Sequence, residues 1–305
     1  MPVPHTSTNF GDLLDPRFQK IFSEQFKELP DLLPMLFNFE PDNGRNNMMW
    51  SSVGTVPDFT QFTGTVGYNS QNQGFDITAT HVEFTNGIQI ERPLFDDDQY
   101  NIMNQRPRAL AQSAFRTRQK HGARMLNNSF AVDTLFYANS EGVALCSNSH
   151  LTTSSASTAS GFDNLGTAAL TATAVAAARI QMTGFRGDQA ERISVVPDEL
   201  WYPPNLYEEA FEIMASSGKV DTANNNRNVH EGQYKGIEWN YLTDTNNWWL
   251  ADSLMRGIMV HWVDRISLEF AMAEDLDTMI AKWRAYMRYS MAHTDWRWVM
   301  GHQVT

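Results

Sequence analysis

The strongest pattern of apolar and polar positions lies near the C-terminal end of the chain. Ile266, Leu268, Phe270 and Met272 alternate with Arg265, Ser267, Glu269 and Ala271. After Glu274-Asp275-Leu276-Asp277, the positions Met279, Ala281, Trp283, Ala285, Met287, Tyr289 and Met291 form one set. Ile280, Lys282, Arg284, Tyr286, Arg288 and Ser290 fall between them. A period of two places alternate side chains on opposite faces of a strand, so the spacing predicts two antiparallel strands with one shared apolar face. Trp296, Trp298 and Met300 give a candidate third strand. Such a meander must have its apolar face covered. The natural cover is a long helix predicted broadly over 99–137. Asp96-Asp97-Asp98 precedes it, where acids suit the helix dipole, and Pro107 is expected to restart it.

The rest of the chain divides by the same criterion. Residues 1–14 read as an extended arm. Asp15-Pro16 then caps a short amphipathic helix with Phe18, Ile21, Phe22, Phe26 and Leu29 at helical spacing, which Pro30 and Pro34 end. Residues 38–58 read as polar and irregular. Residues 59–92 read as a long hairpin. Phe59, Phe62, Val66 and Tyr68 lie on one arm, Ile77, Val82, Phe84, Ile88 and Ile90 on the other, and a polar turn from Asn69 to Gly74 lies between. A two-stranded ribbon is marginal in water, so this one needs a surface to lie on, in its own chain or a neighbour's. Residues 147–184 are rich in Ser, Thr and Ala, first a loop and then a helix from Thr167 to Met182. Ile193 to Val196 reads as a buried strand. Pro203-Pro204 opens a helix running to about Ser216, with Glu208 and Glu209 in its first turns, and 217–232 is an Asn-rich loop. An α+β fold class is expected.

Composition narrows the functions. The apolar fraction is 42% of 305 residues, enough for a sizeable core and too much for wholesale disorder. A net charge of −12 opposes general affinity for nucleic acid. The long helix nevertheless holds Arg106, Arg108, Arg116, Arg118, Lys120 and Arg124, and no acid lies between Asp98 and Asp133. Either this is a solvated basic face or it meets nucleic acid or an acidic neighbour. The one cysteine, Cys146, excludes a disulfide framework within the chain and favours an intracellular folding site. Residues 1–10 carry no Lys, Arg or apolar core of a signal peptide, and no run approaches the roughly 18 apolar residues of a membrane span. A soluble protein made in a cytoplasm is expected.

Catalytic patterns are missing. The chain has no GxSxG, HExxH, Walker A or GxGxxG motif. None of its eight histidines pairs with another His or with Cys at metal-ligand spacing. Cys146 and His150 come nearest to a nucleophile and base, but a lone Cys behind Val143-Ala144-Leu145 reads as a buried apolar residue. A carboxylate pair assembled only by folding stays open. The mixture Lys282-Trp283-Arg284-Ala285-Tyr286-Met287-Arg288-Tyr289 could offer stacking platforms for bases. Its alternation instead puts the rings at 283 and 289 on the core face and the cations opposite. No catalytic, cofactor or metal site is expected.

Several segments carry a family resemblance. They are Ala144-Leu145-Cys146-Ser147-Asn148-Ser149-His150 with Asn164-Leu165-Gly166 to Leu170-Thr171; Val196-Pro197-Asp198-Glu199-Leu200-Trp201-Tyr202-Pro203-Pro204-Asn205-Leu206 with Ala210; Tyr241 to Asp252; and Asp295-Trp296-Arg297. Their order and spacing over 140–300 resemble the major capsid proteins of tailed phages with the Hong Kong 97 fold, and within them the Mu-like head subunits. Leu151 departs from the pattern, since relatives often have proline there. Residues 1–140 match in architecture alone.

The resemblance implies an N-terminal arm and short helix (1–45), an extended hairpin loop (46–97), and a peripheral domain with spine helix (98–144). It further implies an axial domain (145–262), whose tips meet in pentamers and hexamers, and the peripheral C-terminal antiparallel strands (263–305). The hairpin would lie over the adjacent subunit, with Phe59, Phe62, Phe84 and Ile88 as contact candidates. Arg106, Arg108, Arg116 and Arg118 on the spine helix would meet acidic patches on neighbours. Packaged double-stranded DNA is expected inside without sequence-specific binding, with portal, scaffolding and decoration proteins as further partners, and no membrane. The best-known member of the fold welds its shell through a lysine on the extended loop. No lysine occurs here between Lys27 and Lys120, so a non-covalent shell is expected. The short arm before the first helix implies a separate scaffold or one already removed. Within the same fold a bacterial encapsulin compartment is the alternative, and outside it a phage tube or decoration subunit.

Overall fold

The computed structural model describes residues 20–26, 31–91, 105–218, 227–275 and 280–305. The arm, the Asp15-Pro16 cap, Pro30, the Asp96-Asp97-Asp98 run and residues 276–279 of the acidic turn lie outside the described residues. In chain order the first elements are α1 (20–26), α2 (Leu33–Leu36), β1 (Asn38–Glu40), β2 (Asn47–Val53), β3 (Gln73–Thr80) and β4 (Val82–Glu91). There follow α3 (Gln105–Asn127), β5 (Tyr137–Asn139), β6 (Leu165–Gly166), α4 (Ala172–Met182), β7 (Glu199–Tyr202), α5 (Tyr207–Ala215) and β8 (Lys235–Glu238). The last are β9 (Trp248–Ala251), α6 (Ser253–Met259), β10 (Val260–Asp275), β11 (Ile280–His293) and β12 (Val299–His302). The chain forms two compact units.

The first unit contains residues 81–121 and 264–289 together with the described part of 1–33. The alternation of β11 is realised: Trp283, Ala285, Met287 and Tyr289 are buried, while Lys282 and Arg284 are exposed. The predicted cover is also present. Leu110 and Ala111 of α3 pack with Phe22 and Ala285, and Phe22 stacks on Phe270 at 4.9 Å between ring centroids. Burying a leucine or phenylalanine side chain here stabilises by about 1.5–3 kcal/mol. Strand β10 lies beside β11 as expected, but the neighbour on the other edge of β11 is not residues 296–300. It is β4, paired antiparallel with Trp283 opposite Ile88 and Met287 opposite Phe84. The helix ends at Asn127 rather than near 137. The Asn127-Asn128-Ser129 run favours local turns over a continuing helix, and Ser129 N–H closes onto the Leu126 carbonyl.

The second unit contains residues 34–80, 122–263 and 290–305. Its main sheet has the order β6-β12-β9-β7-β8, antiparallel at β12–β9 and β9–β7 and parallel at both edges. Glu199-Leu200-Trp201-Tyr202 and Trp248-Trp249-Leu250-Ala251 are buried at every position. A strand covered on both faces reads as a continuous run, not an alternation. The strand expected at 193–196 therefore lies a few residues later, at β7. Thr171 caps α4 by accepting the Ala174 N–H at 3.1 Å. Asp252 caps α6 by accepting the Leu254 and Met255 N–H groups, both at 3.0 Å.

A three-stranded sheet, β2-β3-β5, completes this unit. Here the predicted hairpin is corrected. The partner of β3 is β2, with Asn47 opposite Thr80 and Val53 opposite Gln73. Residues 59–68 are not a strand, and the region 38–58, expected to be irregular, holds β1 and β2. Phe84 and Ile88 thus belong to β4 in the first unit and not to the hairpin.

Candidate assembly surfaces

Between β2 and β3 the chain leaves the sheet at Gly54 and returns at Asn72, and the Gly54 N–H donates to the Asn72 carbonyl at 2.8 Å. The segment between carries Phe59, Phe62, Val66 and Tyr68. Phe59 and Tyr68 keep 103% and 94% of their reference exposure, and Phe62 keeps 69%. Leaving that much aromatic surface in water is unfavourable, and contiguous exposed apolar area marks a contact site.

The other contact candidates lie elsewhere. Phe84 is half-buried, stacked on Tyr289 at 4.9 Å and 4.5 Å from the His121 ring. Ile88, also half-buried, packs on Ile90 and Trp283. On α3, Arg106, Arg108 and Arg116 are exposed together with Lys120, while Leu110, Ala111 and Ala114 are buried. Arg118 is different. It is buried, its guanidinium 3.1 Å from the Asp264 carboxylate and 5.7 Å from the Tyr289 ring centroid. Arg124 grips Asp133 through two hydrogen bonds of 2.7 and 2.9 Å. The basic run of the sequence therefore separates into an exposed cationic face and two cations used inside the subunit.

Sequence reasoning missed an exposed aromatic pair on α5, Tyr207 and Phe211, whose ring centroids lie 6.2 Å apart. Their i, i+4 spacing opposite buried Ala210 and Ile213 was the available signal.

The chemistry of the Cys146 region is structural. Cys146 is buried, and burial pushes its thiol up to about 12, far from a reactive thiolate. His150 is also buried. Its ring stacks on Trp296 at 4.3 Å, with Nδ1 2.9 Å from Glu141 and Nε2 3.1 Å from Asn164 Oδ1. Asn164 in turn donates to the Leu145 and Val299 carbonyls. This network ties the 141–150 loop to the sheet. Among the described residues, no group of three or more His, Cys, Asp or Glu could hold a metal ion, and no helix is long and apolar enough to cross a membrane.

Comparison with known proteins gives one family. A family model described as phage capsid protein matches residues 75–300. No curated protein matches. Among solved structures, the mature capsid of bacteriophage PhiM1 is similar at 8% identity, with a TM-score of 0.58, covering 91% of this chain and 88% of that one. The capsid of Cyanophage P-SCSP1u is similar at 13% identity, with a TM-score of 0.58 and coverage of 90% and 88%. A structure from Mycobacterium phage Che8 is similar at 14% identity, with a TM-score of 0.52 and coverage of 85% of each chain. These likenesses bear on the fold, and the family description does not separate out the Mu-like group. With more than half its length matched by the family model, the chain belongs to the phage capsid protein family, and the solved capsids it resembles give it the Hong Kong 97 fold.

Proposed function

We propose that this chain assembles through pentamers and hexamers into an icosahedral head, held by non-covalent contacts around double-stranded DNA. The segment from 54 to 72 acts as the arm that lies on the adjacent subunit. The supporting observation is the exposure of Phe59, Phe62 and Tyr68 on a segment whose own unit does not cover them. The exposed Arg106, Arg108 and Arg116 meet acidic surface on neighbouring proteins rather than the genome. Chain-wide acidity keeps packaged DNA from binding tightly. The subunit works without catalysis, in the bacterial cytoplasm, with portal, scaffolding and decoration proteins as partners. The first unit with its spine helix corresponds to the peripheral domain, and much of the second to the axial domain.

The test is assembly of the wild-type chain beside Phe59→Ala/Phe62→Ala/Tyr68→Ala, followed by sedimentation and negative-stain microscopy. Wild-type shells and a variant arrested as small oligomers are expected. Normal shells from the variant refute the arm. Boiled shells should run as monomer on a denaturing gel, because no lysine lies between residues 27 and 120.

A further inference from the structure

The exposed segment is held only at its root. Among the described residues, its hydrogen bonds fall at Gly54, Thr55 and Asn72. Asn72 Nδ2 donates to the Thr153 carbonyl at 3.0 Å, and the Gln189 N–H donates to Thr55 Oγ1 at 3.3 Å. One side of the root is therefore tied to the loop around 153 and the other to the turn around 189. A single carboxylate joins those two. Asp188 accepts the Thr153 N–H at 3.1 Å and the Thr153 hydroxyl at 3.2 Å, while the Ser154 hydroxyl donates to the Asp188 carbonyl. The root passes so close that a Cβ on Gly54 would stand 2.7 Å from Asp188 Oδ2.

Two further features fall at the same place. Among the described residues, the non-glycine positions with positive φ are Ser155 and Ala190, both at 61°, one in each clasping segment. Each costs on the order of 1 kcal/mol in local backbone preference, so the surrounding bonds must hold it there. A cavity of about 230 Å³ also opens against the root, lined by Val53, Gly54, Phe75, Asp188 and Trp296 among others. The stem thus has space to pivot once the bonds are released.

We infer that Asp188 is the positioning residue of a clasp that sets the direction of the 54–72 arm before assembly. This rests on the reading of that segment as an inter-subunit arm. The reason is leverage. At up to ~3.5 Å per residue, Phe62 can stand up to ~28 Å from Gly54. A tilt of about 10° at the root then moves its ring by roughly 5 Å, more than a packed contact tolerates. With few bonds beyond the root, the clasp decides whether the rings reach one seat or several.

The test uses the full chain carrying Asp188→Ala, with Thr153→Val as a milder variant that removes only the hydroxyl donor. In unassembled subunits, hydrogen exchange at the Gly54, Thr153 and Gln189 amides should rise about tenfold in Asp188→Ala and less in Thr153→Val, with β9 unchanged. On assembly, Asp188→Ala should give shells of mixed size or irregular shape. Unchanged exchange at those amides, or uniform shells from Asp188→Ala, overturns the clasp. Should Asp188→Ala fail to fold, Thr153→Val replaces it in both measurements: faster exchange with irregular shells supports the clasp, and no change in either overturns it. The Phe59→Ala/Phe62→Ala/Tyr68→Ala variant tests the arm separately: normal shells from it refute the arm, while the exchange rates still decide the clasp.

Discussion

The main sheet of the second unit and the segment between β2 and β3 use the same side-chain chemistry in opposite ways. Trp201, Trp248 and Trp249 are fully buried. Phe59, Phe62 and Tyr68 are among the most exposed rings of the described residues. In the sheet, aromatic area has already left water and stabilises the subunit. In the arm it has not, and its burial free energy is released only on association. One sequence therefore places fold stability and assembly affinity in separate residues, so each can be altered without the other.

The largest expected effect breaks the first half of that contrast. Trp249 stacks near Phe130 at 5.9 Å and donates its indole N–H to Ser129 Oγ at 2.9 Å. Trp249→Ala should cost about 3–5 kcal/mol of subunit stability, read as the shift in a urea unfolding midpoint. A loss below about 1 kcal/mol would mean the sheet is not the seat of stability.

A smaller effect comes from acid. His302 stacks on Trp248 at 3.8 Å, and burial pushes its imidazole down to about 4. Burial does the same to His293, also to about 4, although Asp295 and Glu141 nearby pull the other way and His150 adds to the depression. Both side chains are neutral in the folded state through most of the window where the unfolded chain, with ordinary values near 6.5, takes up protons. Stability is therefore full above about pH 6.5, falls between about 6.5 and 4, and falls no further below that from these two groups. A loss on the order of a few kcal/mol is expected between about pH 7 and 4. Unfolding midpoints across that range, with a shallower slope in His302→Phe, check it. A flat profile would mean that the two histidines do not govern acid stability.

The smallest effect sharpens the other half. Replacing Phe59, Phe62 and Tyr68 together by alanine should change subunit stability by no more than about 0.5 kcal/mol, since nothing is uncovered that was covered. A larger loss in the urea midpoint would show that the rings support their own subunit.

Sequence patterning located the elements whose burial is one-sided. The alternation in β11 and the helix that covers it are legible because one face meets the core and the other meets water. Strands β7 and β9 were harder, since burial on both faces erases the alternation. Strand β2 was missed because its residues Asn47 to Val53 are half-buried or exposed throughout. The hairpin was placed wrongly for an instructive reason. Phe59, Phe62, Val66 and Tyr68 show an apolar rhythm, but this rhythm is not matched to any surface of their own unit. Strand β4 was recognised as extended, yet its partner β11 is far away along the chain, with Val82 opposite Tyr289, and register across such a separation leaves no local trace. For the assembly surface, Arg106, Arg108 and Arg116 could be read as a basic face. That Arg118 turns inward to Asp264 could not be read from spacing alone.

The seclusion of Cys146 also has a practical side. The chain has one cysteine, and its thiol is buried and held protonated. A maleimide dye offered to the folded subunit finds no native handle. A cysteine introduced at an exposed position such as Thr60 would then take the label alone. Fluorescence from that one site could follow the arm as subunits come together, in real time and without background from the rest of the molecule.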